Sequence, residues 1–383
     1  MGLSAYLVAV HLWSWISMSS FYLGGHSDFR QIYAAAYMVR TGSAAQLYDP
    51  AVQQQVQNSI VGIDQVIPFI RPAYELLIFL PVSMLPYRAA YFTVLACNLI
   101  LLAMIYKLLR SRLQNLTAIF PWIPAALLLG FLPIGGALLQ GQDSILLMFL
   151  LLLAMISLER NRDMWAGMFV GLGLFKFQLT LPFAAIFFLW RRWRFIIGFL
   201  PMAALAVLIS ISITGIAQTR TYLRLLFFMA QPAPVKSIYP LTISRMTNFH
   251  GAVFAIFGHL LSVRGVFLTT AAVSFVWVGW LWRNRPATKT DEFLLAVMAA
   301  TLLSYYLFFH DVSPLIIPIA ILLNRNIMSE TSGDRQGRII VRLATVLFVI
   351  PLLLSYAPNY LFLAVFPLTG LAIASRQIPE PCC

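Results

Sequence analysis

Asp28 stands in the run Gly24-Gly25-His26-Ser27-Asp28-Phe29-Arg30, directly after an apolar stretch long enough to cross a bilayer. A carboxylate at such a boundary can take the proton of a hydroxyl as a general base. It can equally cap a helix that starts near Arg30, since Asp is a favoured N-cap residue. A second group lies in Phe308-Phe309-His310-Asp311-Val312-Ser313-Pro314, between two apolar runs. His310 and Asp311 can bind a phosphate, assist proton transfer or hold a metal; alternatively Asp311 caps the next helix. A metal is disfavoured, because His11, His26, His250 and His259 show no ligand spacing. The cations Arg71, Lys176 and Arg245 form a third group. An anionic substrate would pair with them, and the plainer alternative is snorkelling toward headgroups. Gln140, Gln142 and Gln178 can hydrogen-bond hydroxyl groups at the same level, with His26 beside Asp28 as a further candidate.

The elements that must position these residues follow from composition. Of 383 residues 61% are hydrophobic and 10% charged, with a mean hydropathy of +0.84. Soluble domains average roughly 45–50% apolar and about 25% charged, so a soluble enzyme is excluded. So are a disordered chain and a disulfide scaffold, with only Cys97, Cys382 and Cys383 present. The net charge of +13 belongs to the loops of a polytopic membrane protein, and nucleic acid is not an expected partner.

Basic clusters separate the apolar stretches: Lys107, Arg110 and Arg112; Arg160 and Arg162; Arg191, Arg192 and Arg194; Arg283, Arg285 and Lys289; Arg325, Arg335, Arg338 and Arg342. Placing all of them in the cytoplasm gives spans near 3–23, 88–109, 117–135, 143–158, 195–215, 263–283, 291–309, 312–324, 339–355 and 359–375. The stretch 164–190, between two basic clusters, must go out and come back, with Lys176 at its tip. The expectation is an all-α polytopic membrane protein of about twelve spans, one domain over residues 1–383, with both termini cytoplasmic. Its outer side carries a first loop, 24–71, with helices at 30–41 and 50–60 lying on the membrane, and a second loop, 216–250. The run 72–86 is placed at the outer interface.

No phosphate-binding Gly-x-x-x-x-Gly-Lys loop occurs, and Gly167, Gly171 and Gly173 suit helix packing. The order of Ser27-Asp28-Phe29, Leu47-Tyr48-Asp49-Pro50, Arg71-Pro72, Leu85-Pro86-Tyr87, Gly141-Gln142-Asp143-Ser144, Lys176-Phe177-Gln178, Arg191-Arg192-Trp193 and His310-Asp311-Val312-Ser313-Pro314 resembles glycosyltransferase family 87. The resemblance implies a GT-C-type fold in the bacterial inner membrane. It implies a polyprenyl-phosphate sugar donor, typically of mannose, and inverting transfer to a lipid or glycan acceptor on the extracytoplasmic side; no cofactor is expected, since the residues offer no metal site. By the same resemblance Asp28 is the base, His310 the histidine of the late outer turn, and Lys176 the lysine of a Lys-Pro-Gln-like motif. Lys176 with Arg71 or His310, and more weakly Arg245, would bind the donor phosphate. Two departures are Phe177 where the family usually has proline, and Pro72-Ala73 where it tends to have paired prolines. The competing class is a transporter or lipid flippase, against which stands the absence of an internal repeat and of polar groups at mid-depth.

Overall fold

A computed structural model describes residues 2–229, 243, 246–328, 334–353 and 365–370, and among these no strand occurs. Helix α1 (Gly2–Phe21) passes through a π-turn, Tyr22–His26, into α2 (Phe29–Arg40) and α3 (Pro50–Val61). The short α4 (Leu76–Phe79) precedes α5 (Tyr87–Arg110), the fragments α6 (Gln114–Ile119), α7 (Ile123–Gly130) and α8 (Leu132–Leu139), and then α9 (Ser144–Glu159). Helices α10 (Asp163–Leu172) and α11 (Phe177–Leu189) flank a 3-10 turn at Gly173–Lys176. The remainder comprises α12 (Trp193–Met229), α13 (Phe249–Phe257), α14 (Val263–Arg283), α15 (Lys289–Leu303), α16 (Ile316–Asn326) and α17 (Arg335–Leu353).

Among the described residues, four stretches are long and apolar enough to cross a membrane: Tyr87–Arg110, Asp163–Leu189, Trp193–Leu226 and Val263–Arg283. The span expected at 117–135 is broken into α6, α7 and α8, because Pro121 and Pro133 interrupt the backbone hydrogen bonding. The one expected at 312–324 starts as a 3-10 turn, Phe309–Leu315. Most of 359–375 and the C-terminal cysteines lie outside the described residues.

The stretch Asp163–Leu189 turns back on itself. Straight, its 27 residues would hold their ends about 40 Å apart at 1.5 Å per residue. Instead Asp163 accepts from Lys289, while Trp190 donates to the Leu281 carbonyl and Arg192 pairs with Glu292. Both ends therefore meet at the start of α15, which puts Lys176 at the far tip. Gly167 and Gly198 let α10 and α12 touch: a Cβ on either would come within 1.9 Å of a backbone oxygen.

Two polar layers result. One gathers Arg112 with Glu159, Arg192 and Arg285 on Glu292, and Arg325 on Asp291. The other lies at the opposite end of α9, whose 16 residues span about 24 Å; it contains Lys176 and the residues described below.

Two expectations need correction. Helix α2 does not lie on the membrane: Phe29 through Ala36 and Met38 are all buried in protein. Its alanines let neighbours close in from every side, and Phe29, Ile32 and Tyr33 pack with Tyr87, Tyr91, Leu76 and Phe79 in a small second core. The loop expected at 216–250 is helical as far as Met229, beyond a break at Gly215. Tyr222 and Leu225 on that extension pack against the second core, which accounts for the extra helix.

Candidate active site

The turn Gln140-Gly141-Gln142-Asp143 carries the site. Gly141 has φ +61°, and a Cβ there would lie 2.8 Å from that of Phe29, so only glycine fits. The turn is clamped to the loop after α1: Phe29 N donates to the Gln140 carbonyl (3.0 Å) and Asp28 N to Gln140 Oε1 (2.9 Å). Gln140 therefore gives its carbonyl and its Oε1 to the backbone of the first loop.

Asp28 stands at the N-cap position of α2, in helical geometry, and makes no side-chain cap bond. Its Oδ2 instead accepts from Gln142 Nε2 at 2.6 Å, with His310 Nε2 at 3.7 Å. The capping alternative for Asp28 is thus not realised. Asp311 does both jobs: Oδ2 accepts from Phe308 N (3.2 Å) and Oδ1 receives Lys176 Nζ (2.6 Å).

Arg71 and Lys176 are both paired with protein carboxyl groups, so neither snorkels toward headgroups. Arg71 Nη1 donates to Glu75 Oε1 (2.8 Å) and Asp143 Oδ2 (2.5 Å), and Nη2 to Gln142 Oε1 (2.6 Å). Lys176 Nζ also lies 3.0 Å from Asp143 Oδ1 and donates to Gln142 Oε1 at 3.0 Å. Hydrophobic neighbours dictate this burial. Phe69 and Ala73 flank Arg71 in the smaller core, while Ile145, Phe175 and Val312 adjoin Asp143, Lys176 and Asp311 in the larger.

Charge is tightly managed here. Burial would raise Asp311, but Lys176 and His310 hold it well below the usual carboxylate range. Burial opposes the charge on Asp143 too, and Arg71 with Lys176 outweighs it, so this carboxyl also titrates low. Burial pushes Glu75 well above the usual range despite Arg71, with the charge of Asp143 adding to the effect. Burial lowers His310, leaving its imidazole neutral at pH 7. The buried core of the cluster sets Arg71 and Lys176 among the carboxyl groups of Glu75, Asp143 and Asp311. Among the described residues, Asp28 is the carboxylate of this cluster with no lysine or arginine partner.

These groups open on a cavity of about 430 Å³, within the range of small-molecule sites. Asp28, Arg71, Gln142, Lys176, Gln178, His310 and Asp311 all line it. Gln178 Oε1 is buried without a partner among the described residues. The facing wall is the extended segment 64–70, held by a ladder of glutamines on α3. Gln57 exchanges two bonds with Ile67 (2.7 and 3.0 Å) and Gln53 two with Phe69 (3.3 and 2.8 Å).

His26 lies apart, exposed and stacked on Phe21 at 4.3 Å. Arg245 falls outside the described residues. Sequence reasoning passed over Glu75 and Asp143 as site residues, the Gln53–Gln57 pair, and Tyr306, which also lines the cavity. Glu75 was discoverable: an acid in an apolar run, four residues after Arg71, calls for pairing on one helical face. Among the described residues no group of three or more His, Cys, Asp and Glu side chains is arranged for a metal ion.

The sequence profile of glycosyltransferase family 87 matches residues 69–304, well over half of the chain. No curated protein and no solved structure matches. The matched segment contains Arg71, Gln142, Asp143 and Lys176, whereas Asp28 and His310 lie outside it and are joined to it by the geometry above. This chain belongs to glycosyltransferase family 87 and is, by that membership, a membrane glycosyltransferase.

Proposed function

We propose that this glycosyltransferase moves a hexose, mannose on the family resemblance, from a polyprenyl phosphate to a hydroxyl of a lipid or glycan acceptor. One observation supports this most: Asp28, unpaired with any lysine or arginine, faces the same cavity as His310, Lys176 and Arg71. Asp28 takes the acceptor proton as the acceptor oxygen bonds to the anomeric carbon. The bond from that carbon to the phosphate oxygen breaks, its electron pair leaves with the polyprenyl phosphate, and the configuration inverts.

Lys176 and Arg71 are the partners of the departing phosphate, with Arg245 as a third. Asp143 and Asp311 hold the first two in place where an unpaired cation would be costly. Gln178 Oε1, buried and unspent, suits a sugar hydroxyl. Basic residues gather at the helix ends remote from the cavity, which under the positive-inside rule supports an extracytoplasmic site. Mass spectrometry of lipid-linked glycans from cells with and without the protein tests this reading. A glycolipid longer by one hexose, present only with the protein, is expected; identical profiles would refute it.

A further inference from the structure

Resting on Asp28 as the base, we infer that Gln142 is a positioning residue: an amide spacer that keeps the Asp28 carboxylate off the two buried cations. Its hydrogen-bond partners fix which way the amide faces. Arg71 and Lys176 have only N–H groups to give, so the oxygen must face them, and Nε2 must face Asp28. Both lone pairs of Oε1 are taken, by Arg71 Nη2 at 2.6 Å and Lys176 Nζ at 3.0 Å. Nε2 donates to Asp28 Oδ2 at 2.6 Å.

The side chain has nowhere else to go. Gln142 is 1% exposed; its N–H donates to the Ala137 carbonyl, and its own carbonyl accepts from Asn98 Nδ2. The other charged or titratable groups that face Asp28 are His310 at 3.7 Å and, at longer range, Arg30, Tyr22 and Tyr87. None of these parts Asp28 from Lys176 and Arg71. One amide does, in a buried site where opposite charges attract strongly. Without it the carboxylate would close on Lys176 or Arg71 and spend its charge there. With it, Asp28 receives one neutral N–H and keeps its charge for the acceptor proton.

The spacer differs from a sugar-binding glutamine in what its loss does. Two variants that nearly keep the length of Gln142, Gln142→Met and Gln142→Glu, are compared with wild type and Asp28→Asn in membrane vesicles. The substrates are polyprenyl-phosphate mannose labelled in the sugar and a total polar-lipid extract as acceptor, and kcat/KM is followed against pH. Gln142→Met lets Asp28 pair with a cation, so turnover falls about 100-fold and the acid limb moves to lower pH. Gln142→Glu sets a second negative charge against Asp28, so the acid limb moves to higher pH. The donor KM changes little beside kcat in both.

Opposite displacement of the two limbs supports the spacer. Limbs that stay in place while donor KM rises would overturn it in favour of direct sugar binding. Should Gln142→Met fail to accumulate, the upward move in Gln142→Glu, which the paired cations tolerate, still decides. Wild-type turnover in Asp28→Asn would overturn the base and the spacer together. An inactive Asp28→Asn with unmoved Gln142 limbs would overturn the spacer alone.

Discussion

Replacing Lys176 by methionine removes one charge from the cluster while roughly keeping the length of the side chain. Among the described residues Lys176 Nζ is the one cation in contact with Asp311, beside the neutral His310, whereas Asp143 keeps Arg71 at 2.5 Å. The variant therefore strands a single buried carboxylate. Breaking one side of a buried pair costs about 3–5 kcal/mol; with Phe308 N still donating to Asp311, the lower end, about 3 kcal/mol, is expected. At about 2 °C per kcal/mol, Lys176→Met should melt about 6 °C below wild type in detergent, as read by tryptophan fluorescence. Adding Asp311→Asn removes the stranded charge, so the double variant should recover more than half of that loss without recovering transfer. The pH dependence has a definite sign. In wild type Lys176 holds Asp311 low, a stabilisation present above the unfolded value near 3.9 and lost as pH falls. In Lys176→Met the folded value is raised instead, so stability is greatest below about 3.9 and is lost as pH rises through the new value. The deficit against wild type should thus shrink from pH 7 to pH 5, and the double variant should show no such trend. A Lys176→Met protein as stable as wild type, or losses that simply add in the double variant, would refute the paired cluster.

Gly141→Ala should cost about 1–3 kcal/mol through its positive φ and its clash with Phe29, and should lower transfer further by displacing Asp28; unaltered melting and transfer would remove the turn from the account. Gln57→Leu leaves the Ile67 N–H and carbonyl without their partner, so a loss of about 1–3 kcal/mol and a higher substrate KM are expected from melting and initial-rate measurements. His310 is held low by burial, so its unfolded form binds a proton first as pH falls below about 6.5. Stability is therefore lost from there downward, and His310→Gln should flatten that part of the melting curve against pH.

Much of this was legible in the residues. The hairpin at 164–190 follows from basic clusters on both flanks, and the Asp163–Lys289 and Arg192–Glu292 contacts bear it out. That Asp28, Arg71, Lys176 and His310 share one cavity was readable because ionisable groups in apolar sequence must meet something. What they meet was not readable: the pairing of Lys176 with Asp311 joins residues 135 positions apart, which no local pattern encodes. The burial of α2 was hidden for the opposite reason, since an alanine-rich helix with polar residues reads as amphipathic until its neighbours are known. Gln53 and Gln57 looked like surface residues, yet they bond the backbone of an extended segment that pairs with no strand among the described residues.

The central claim is that Asp28 is the base of a sugar transfer in this cavity. Asp28→Asn keeps an oxygen for Gln142 Nε2 and removes only the proton acceptor. With labelled polyprenyl-phosphate mannose in membranes containing equal amounts of protein, its transfer rate should fall by about 100- to 10,000-fold with an unchanged melting temperature. Transfer at the wild-type rate would contradict the account.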